Sequence, residues 1–199
     1  MENRLLLPAK TNKTENSKNS VLRKLYLNEL KTIYWVEKQM LKLFPGWIRA
    51  ATTRYLKASF KGHFSATEQH VKRIEEVFSL LKEKRTTKRC EIAERIILNA
   101  KKCIKLTKQK TLERDLELLN TAQKFERYET NAYRKLVSFA NIFGELQAEL
   151  IFKETLTEEI EAEEVFIAIE EDTLNDEFFK TEKDDGVEEL DEFEAAEEE

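Results

Sequence analysis

Between Tyr55 and Leu81 the inward-facing residues recur at alternating steps of four and three: Leu56, Phe60, His63, Thr67, His70, Ile74, Val77 and Leu81. That spacing lays them along one helical stripe. Both of the chain's two histidines fall on it, two turns apart, on the face that turns inward. A buried imidazole must find a partner. The stripe therefore has to meet carboxylates, backbone or a metal from other helices, which leaves few folds open.

Three more segments predict long helices. Ser20 is placed to cap a helix ending at Phe44, before Pro45-Gly46, with Tyr26, Leu30, Ile33, Glu37, Leu41 and Phe44 on one stripe. Glu37 thus interrupts an apolar face, where an unpaired carboxylate costs several kcal/mol. Its two readings are an ion pair with a neighbouring Lys or Arg, and metal ligation. Trp47–Thr53 reads as a short connecting turn of helix. Thr111–Phe143 forms the third long helix and stops at Gly144, a natural C-terminal cap. On it Glu126 lies in line with Leu119, Gln123 and Tyr133, while Glu129 lies in the adjacent line with Phe125, Ala132 and Leu136. Along residues 145–171, Phe152, Leu156, Glu159, Glu163 and Phe166 share a line, with Glu158, Ala162, Val165 and Ile169 beside it. The inward carboxylate there stays open between Glu158 and Glu159. A shorter helix, Cys90–Ile104, sits between the second and third long helices.

Only four glycines and two prolines punctuate the chain, as expected for an all-α protein. Charge is divided unevenly. Residues 170–199 carry 16 acidic and two basic side chains, so the rest, with 23 acidic and 32 basic, is cationic. The expected organisation is a mobile leader over 1–19, a helical bundle over 20–171 and an acidic disordered tail over 172–199. The tail offers a contact to the basic body or to a protein partner; a purely solubilising tail is the plainer reading. Cys90 and Cys103 read as free thiols of a reducing compartment. Neither a signal peptide nor an apolar run of membrane-spanning length is evident, which points to a cytoplasmic protein. The lysines of Lys105–Lys110 lack interleaved aromatics, so nucleic acid is not an expected partner.

Four long helices with short connections make a bundle, and each brings an acid or imidazole to mid-length. Several carboxylates share a dry core only when protonated, paired or bridged by cations. A di-metal centre is one such solution, and this donor set suits iron or manganese.

Leu25–Tyr34 followed by Glu37-Lys38-Gln39, His63 with Thr67–His70 and Arg73-Ile74-Glu75, Cys90-Glu91, Ala122–Glu129 with Ala132-Tyr133, and Glu154–Glu159 with Ala162-Glu163 together resemble the YciE/YciF-like ferritin-like proteins, a bacterial stress-response family. The resemblance covers residues 22–168 in order and implies a ferritin-like four-helix bundle with one additional short helix. Three positions depart from the family pattern: Ala66 stands where glutamate is usual, Arg127 where histidine is common, and Glu163 where aspartate is common.

Two functions are thereby opened. In the first, Glu37, His70, Glu126, Glu129 and Glu159, with His63 and Glu163, ligate iron or manganese for metal handling or peroxide defence. In the second, Ala66 and Arg127 mark a metal-free bundle whose inward polar groups form a hydrogen-bonded layer fixing helix register. Its interactions then run through an apolar face, as in a homodimer, and through the tail.

Overall fold

A computed structural model describes residues 13–174. Five helices make up the fold: α1 (Lys13–Ala50), α2 (Arg54–Leu80), α3 (Glu91–Leu106), α4 (Leu112–Phe143) and α5 (Leu146–Leu174). The four long ones form a ferritin-like bundle in which α1 packs on α2 and α4, and α5 packs on α2 and α4. α3 lies outside it against α1 and α4. Short corners make α1–α2 and α4–α5 antiparallel hairpins. α3 is the crossover that carries the chain from the far end of α2 back along the bundle.

Local chemistry fixes the corners. Thr53 caps α2, its hydroxyl accepting from the Leu56 N–H. The buried Asp115 carboxylate accepts the backbone N–H groups of Thr52 and Thr53 at 2.7 and 2.9 Å, pinning the α1–α2 corner to the first turn of α4. Arg114 donates to the Ile104 carbonyl at 2.8 Å and to the Thr107 hydroxyl at 3.0 Å, closing the C-terminal end of α3. Gly144 ends α4 in the left-handed region at φ 67°.

Two expectations for α1 are corrected. The helix begins at Lys13, not Ser20. Extending an existing helix adds one hydrogen bond per residue fixed, whereas starting one does not, so weak formers such as Asn and Ser are carried along. Nor does α1 stop before Pro45; it runs through to Ala50. Pro45 is exposed, while Phe44 and Trp47 on either side are buried, their rings 5.7 Å apart. Burying them contributes about 2–3 kcal/mol each, enough to outweigh a proline penalty of about 3 kcal/mol. Residues 1–12 of the expected leader and 175–199 of the expected tail lie outside the described residues. Among the described residues no helix is long and apolar enough to cross a membrane.

Two aromatic layers bracket the middle of the bundle. Phe44, Trp47, Phe60, Phe125 and Phe166 close one side, and Tyr26, Phe139, Phe143 and Phe152 the other. The polar residues of the stripes meet between them.

Candidate metal centre

Each long helix delivers its mid-length acid or imidazole to one place. Glu37 comes from α1, His63 and His70 from α2, Glu126 and Glu129 from α4, and Glu159 from α5, all buried. Their donor atoms form two adjoining groups, His63–Glu126–Glu129–Glu159 and Glu37–His70–Glu159, within each of which the atoms lie no more than 4.8 Å apart. Glu159 belongs to both.

Distances within the cluster are short. His63 Nε2 is 3.2 Å from Glu126 Oε1 and 3.7 Å from Glu159 Oε2. His70 Nδ1 is 3.0 Å from Glu159 Oε1 and 3.5 Å from Glu37 Oε1. Yet both oxygens of Glu126, Glu129 and Glu159, and Nδ1 of His70, are buried without a hydrogen-bond partner. Orphaned buried donors and acceptors are costly and rare in folded proteins. Here seven of them are concentrated in one place, so the residues present could hold a metal cation.

The opposite edge of His70 is occupied. Its Nε2 lies 2.7 Å from Glu158 Oε2, and Arg73 grips both oxygens of Glu158 at 2.6 and 2.9 Å. With Nε2 donating to Glu158, Nδ1 is the edge of the ring turned to Glu37 and Glu159. A carboxylate behind an imidazole fixes its tautomer and strengthens it as a ligand. The Tyr133 hydroxyl donates to Glu37 Oε1. Phe44 and Phe166 meet the His63 ring edge-on at 5.3 and 5.7 Å, and Tyr133 meets His70 at 6.3 Å, so the aromatic layers border the donors directly.

This burial sets the proton affinities. Desolvation pushes Glu126 up to about 8 and Glu159 up to about 7, and holds Glu129 well above the carboxylate range, with neighbouring carboxylates adding to the rise. It lowers His63. It would lower His70 too, but the charges of Glu159 and Glu37 and the bond to Glu158 outweigh it and raise that imidazole. Glu158, bonded to His70 and then to Arg73, is held down at about 2.

Of the seven candidate ligands, six converge and one does not. Glu163 is half-buried at the bundle edge, accepting from Arg127 Nε at 2.7 Å. The inner line of α5 runs through the buried Phe152, Thr155, Glu159 and Phe166, a spacing averaging one residue per 3.5, and leaves Leu156 and Glu163 on the flank. The same rotation settles the choice between Glu158 and Glu159: Glu159 faces the core, and Glu158 stands behind His70. Arg127 points outward. Sequence reasoning missed Tyr133 and Arg73 as members of the site, and held Glu158 only as the alternative to Glu159. Tyr133 had a signal, lying seven residues beyond Glu126 on the same line.

Residues 21–178 match the family described as a domain of unknown function, DUF892. The chain is 33% identical to Protein YciF of Escherichia coli (strain K12) over 138 residues, 68% of this chain and 81% of that one. The crystal structure of the E. coli stress protein YciF superposes with a TM-score of 0.73 at 27% identity, over 77% of this chain and 97% of that chain. YcfI from Rhodopseudomonas palustris superposes at 0.69 and 27% identity, over 73% and 92%.

Proposed function

Since the chain belongs to the DUF892 family, with YciF-like relatives in sequence and fold, we propose that it is a ferritin-like stress-response protein holding a pair of iron or manganese ions in its core. The stress role rests on the name borne by the E. coli relative. The metal rests on one observation: six carboxylate oxygens and an imidazole nitrogen, orphaned and buried, at a single point between the aromatic layers.

In this reading His63, Glu126, Glu129 and Glu159 would hold one ion, and Glu37 and His70 together with Glu159 the other. Such a pair supplies one-electron redox steps towards dioxygen or peroxide. The chain's own residues do the rest. Glu158 keeps the His70 proton on Nε2, Tyr133 orients Glu37 through its hydroxyl, and the aromatic layers exclude water. Protein purified without chelator is expected to carry iron or manganese at close to two equivalents. Less than about a tenth of an equivalent after exposure to either metal sinks the reading.

A second reading is a metal-free polar layer that fixes helix register. The raised affinities of Glu126 and Glu159 for protons support it, since one shared proton would pair these two neighbours. The double substitution Glu37→Gln with Glu126→Gln separates the two. A polar layer tolerates it with a modest loss of stability, while a di-metal centre loses its ions.

A further inference from the structure

At the end of the bundle away from the α4–α5 turn, a cavity of about 670 Å³ opens beside the α1–α2 corner and the loop between α3 and α4. Four of its lining side chains are cationic, Arg49, Lys57, Lys110 and Arg114, and none is acidic. Arg114 is engaged by the carbonyls closing α3, but Arg49, Lys57 and Lys110 have no carboxylate partner among the described residues. The nearby Asp115 makes no ion pair with them; its buried carboxylate accepts the N–H groups of Thr52 and Thr53. Thr52, also in the lining, has a buried hydroxyl without a hydrogen-bond partner. Like charges gathered around a low-dielectric cleft focus a positive potential and favour an anionic occupant.

The end of α5 says which anion is nearest. Thr173 and Asp172 border a smaller cavity together with Thr53, the residue adjoining Thr52. The chain therefore leaves α5 beside the basic cleft, with 25 residues still to come, bearing 13 acidic and two basic side chains. At roughly 3.3 Å per residue, its first third alone can reach about 25 Å. The family match ends at residue 178, so nearly all of this acidic segment lies beyond it. We propose that residues 175–199 dock back onto the same chain, placing carboxylates in the cleft formed by Arg49, Lys57, Lys110 and Thr52. This contact is independent of any metal in the core.

Zero-length carbodiimide cross-linking of the full chain, read by mass spectrometry, tests it. Isopeptide bonds from Lys57 and Lys110 to acids of residues 175–199 are expected to exceed those from exposed lysines elsewhere, such as Lys24 and Lys124, several-fold. A mixture of isotopically light and heavy chains should place them within one chain. Raising salt to about 0.5 M, where charges are screened within a few ångströms, should remove most of that excess. Reversing charge with Arg49→Glu and Lys110→Glu should do the same at Lys57 while helicity and melting temperature are kept. Bonds spread evenly over the surface lysines, bonds only between chains, or a cleft that takes up inorganic phosphate while the tail cross-links elsewhere would each overturn the proposal.

Discussion

Glu158 and Glu159 illustrate what one peptide bond of rotation decides. Neighbours on a helix point about 100° apart, so a single residue's turn of α5 exchanges a fully buried carboxylate for one that is a third exposed. The two then act differently on His70: Glu159 approaches Nδ1 from the core, while Glu158 accepts at Nε2 with Arg73 behind it. Glu158→Gln is therefore expected to weaken metal binding roughly 10–100-fold without removing a ligand. Titration of manganese into chelator-stripped protein reads this. Unchanged affinity would mean that Nδ1 of His70 is no ligand. Glu37, Glu126, Glu129 and both histidines were legible in the sequence because each interrupts an apolar line at helical spacing. Glu163 misled because a step of four from Glu159 fits a straight helix, whereas the inner line of α5 follows the tighter 3.5 spacing of a packed bundle. Arg73 carries no such mark, since its role exists only across helices; Tyr133 and Glu158 do lie on helical lines, but nothing along those lines shows which groups they bond to.

At the scale of elements, boundaries set by caps were readable and those set by packing were not. Thr111 and Gly144 bound α4 as their chemistry dictates. Pro45 reads as a stop because the local penalty is visible, while the burial that offsets it involves Phe60 on α2 and Phe125 on α4. Trp47→Ala removes that offset, and a loss of about 3–5 kcal/mol is expected from denaturant unfolding. Helicity should fall as well if residues 45–50 uncouple from the rest of α1. A loss below about 1 kcal/mol would show that the helix crosses Pro45 for some other reason. The Asp115 clamp makes a parallel case: two buried N–H groups lose their acceptor in Asp115→Ala, at a cost of about 1–3 kcal/mol. Nothing in the sequence distinguishes this Asp from any acid in a first helical turn.

For the whole molecule, the stripes announced a bundle but not the order of its helices. An up-and-down arrangement and one with a crossover bury the same faces; α3, passing along the outside, selects the second. The arrangement makes the core answer to pH in a direction opposite to ordinary acid denaturation. Glu126 and Glu159, at about 8 and 7 in the metal-free fold, lie above the ordinary 4.5, so folding takes up protons there. Stability from that uptake is present below about pH 4.5 and is lost as pH rises through 7 and 8. Glu129 and His70, also raised, act in the same sense. His63, lowered from 6.5, acts oppositely, but only as pH falls below that value. Glu158, at about 2, likewise matters only in acid. Between about pH 6.5 and 8, then, chelator-treated protein is expected to melt at progressively lower temperature. With iron or manganese bound, cations replace those protons, binding strengthens as the ligands ionise, and the melting temperature should hold level or rise over the same interval. Parallel falls with and without metal would mean that the buried carboxylates are not where the ions go.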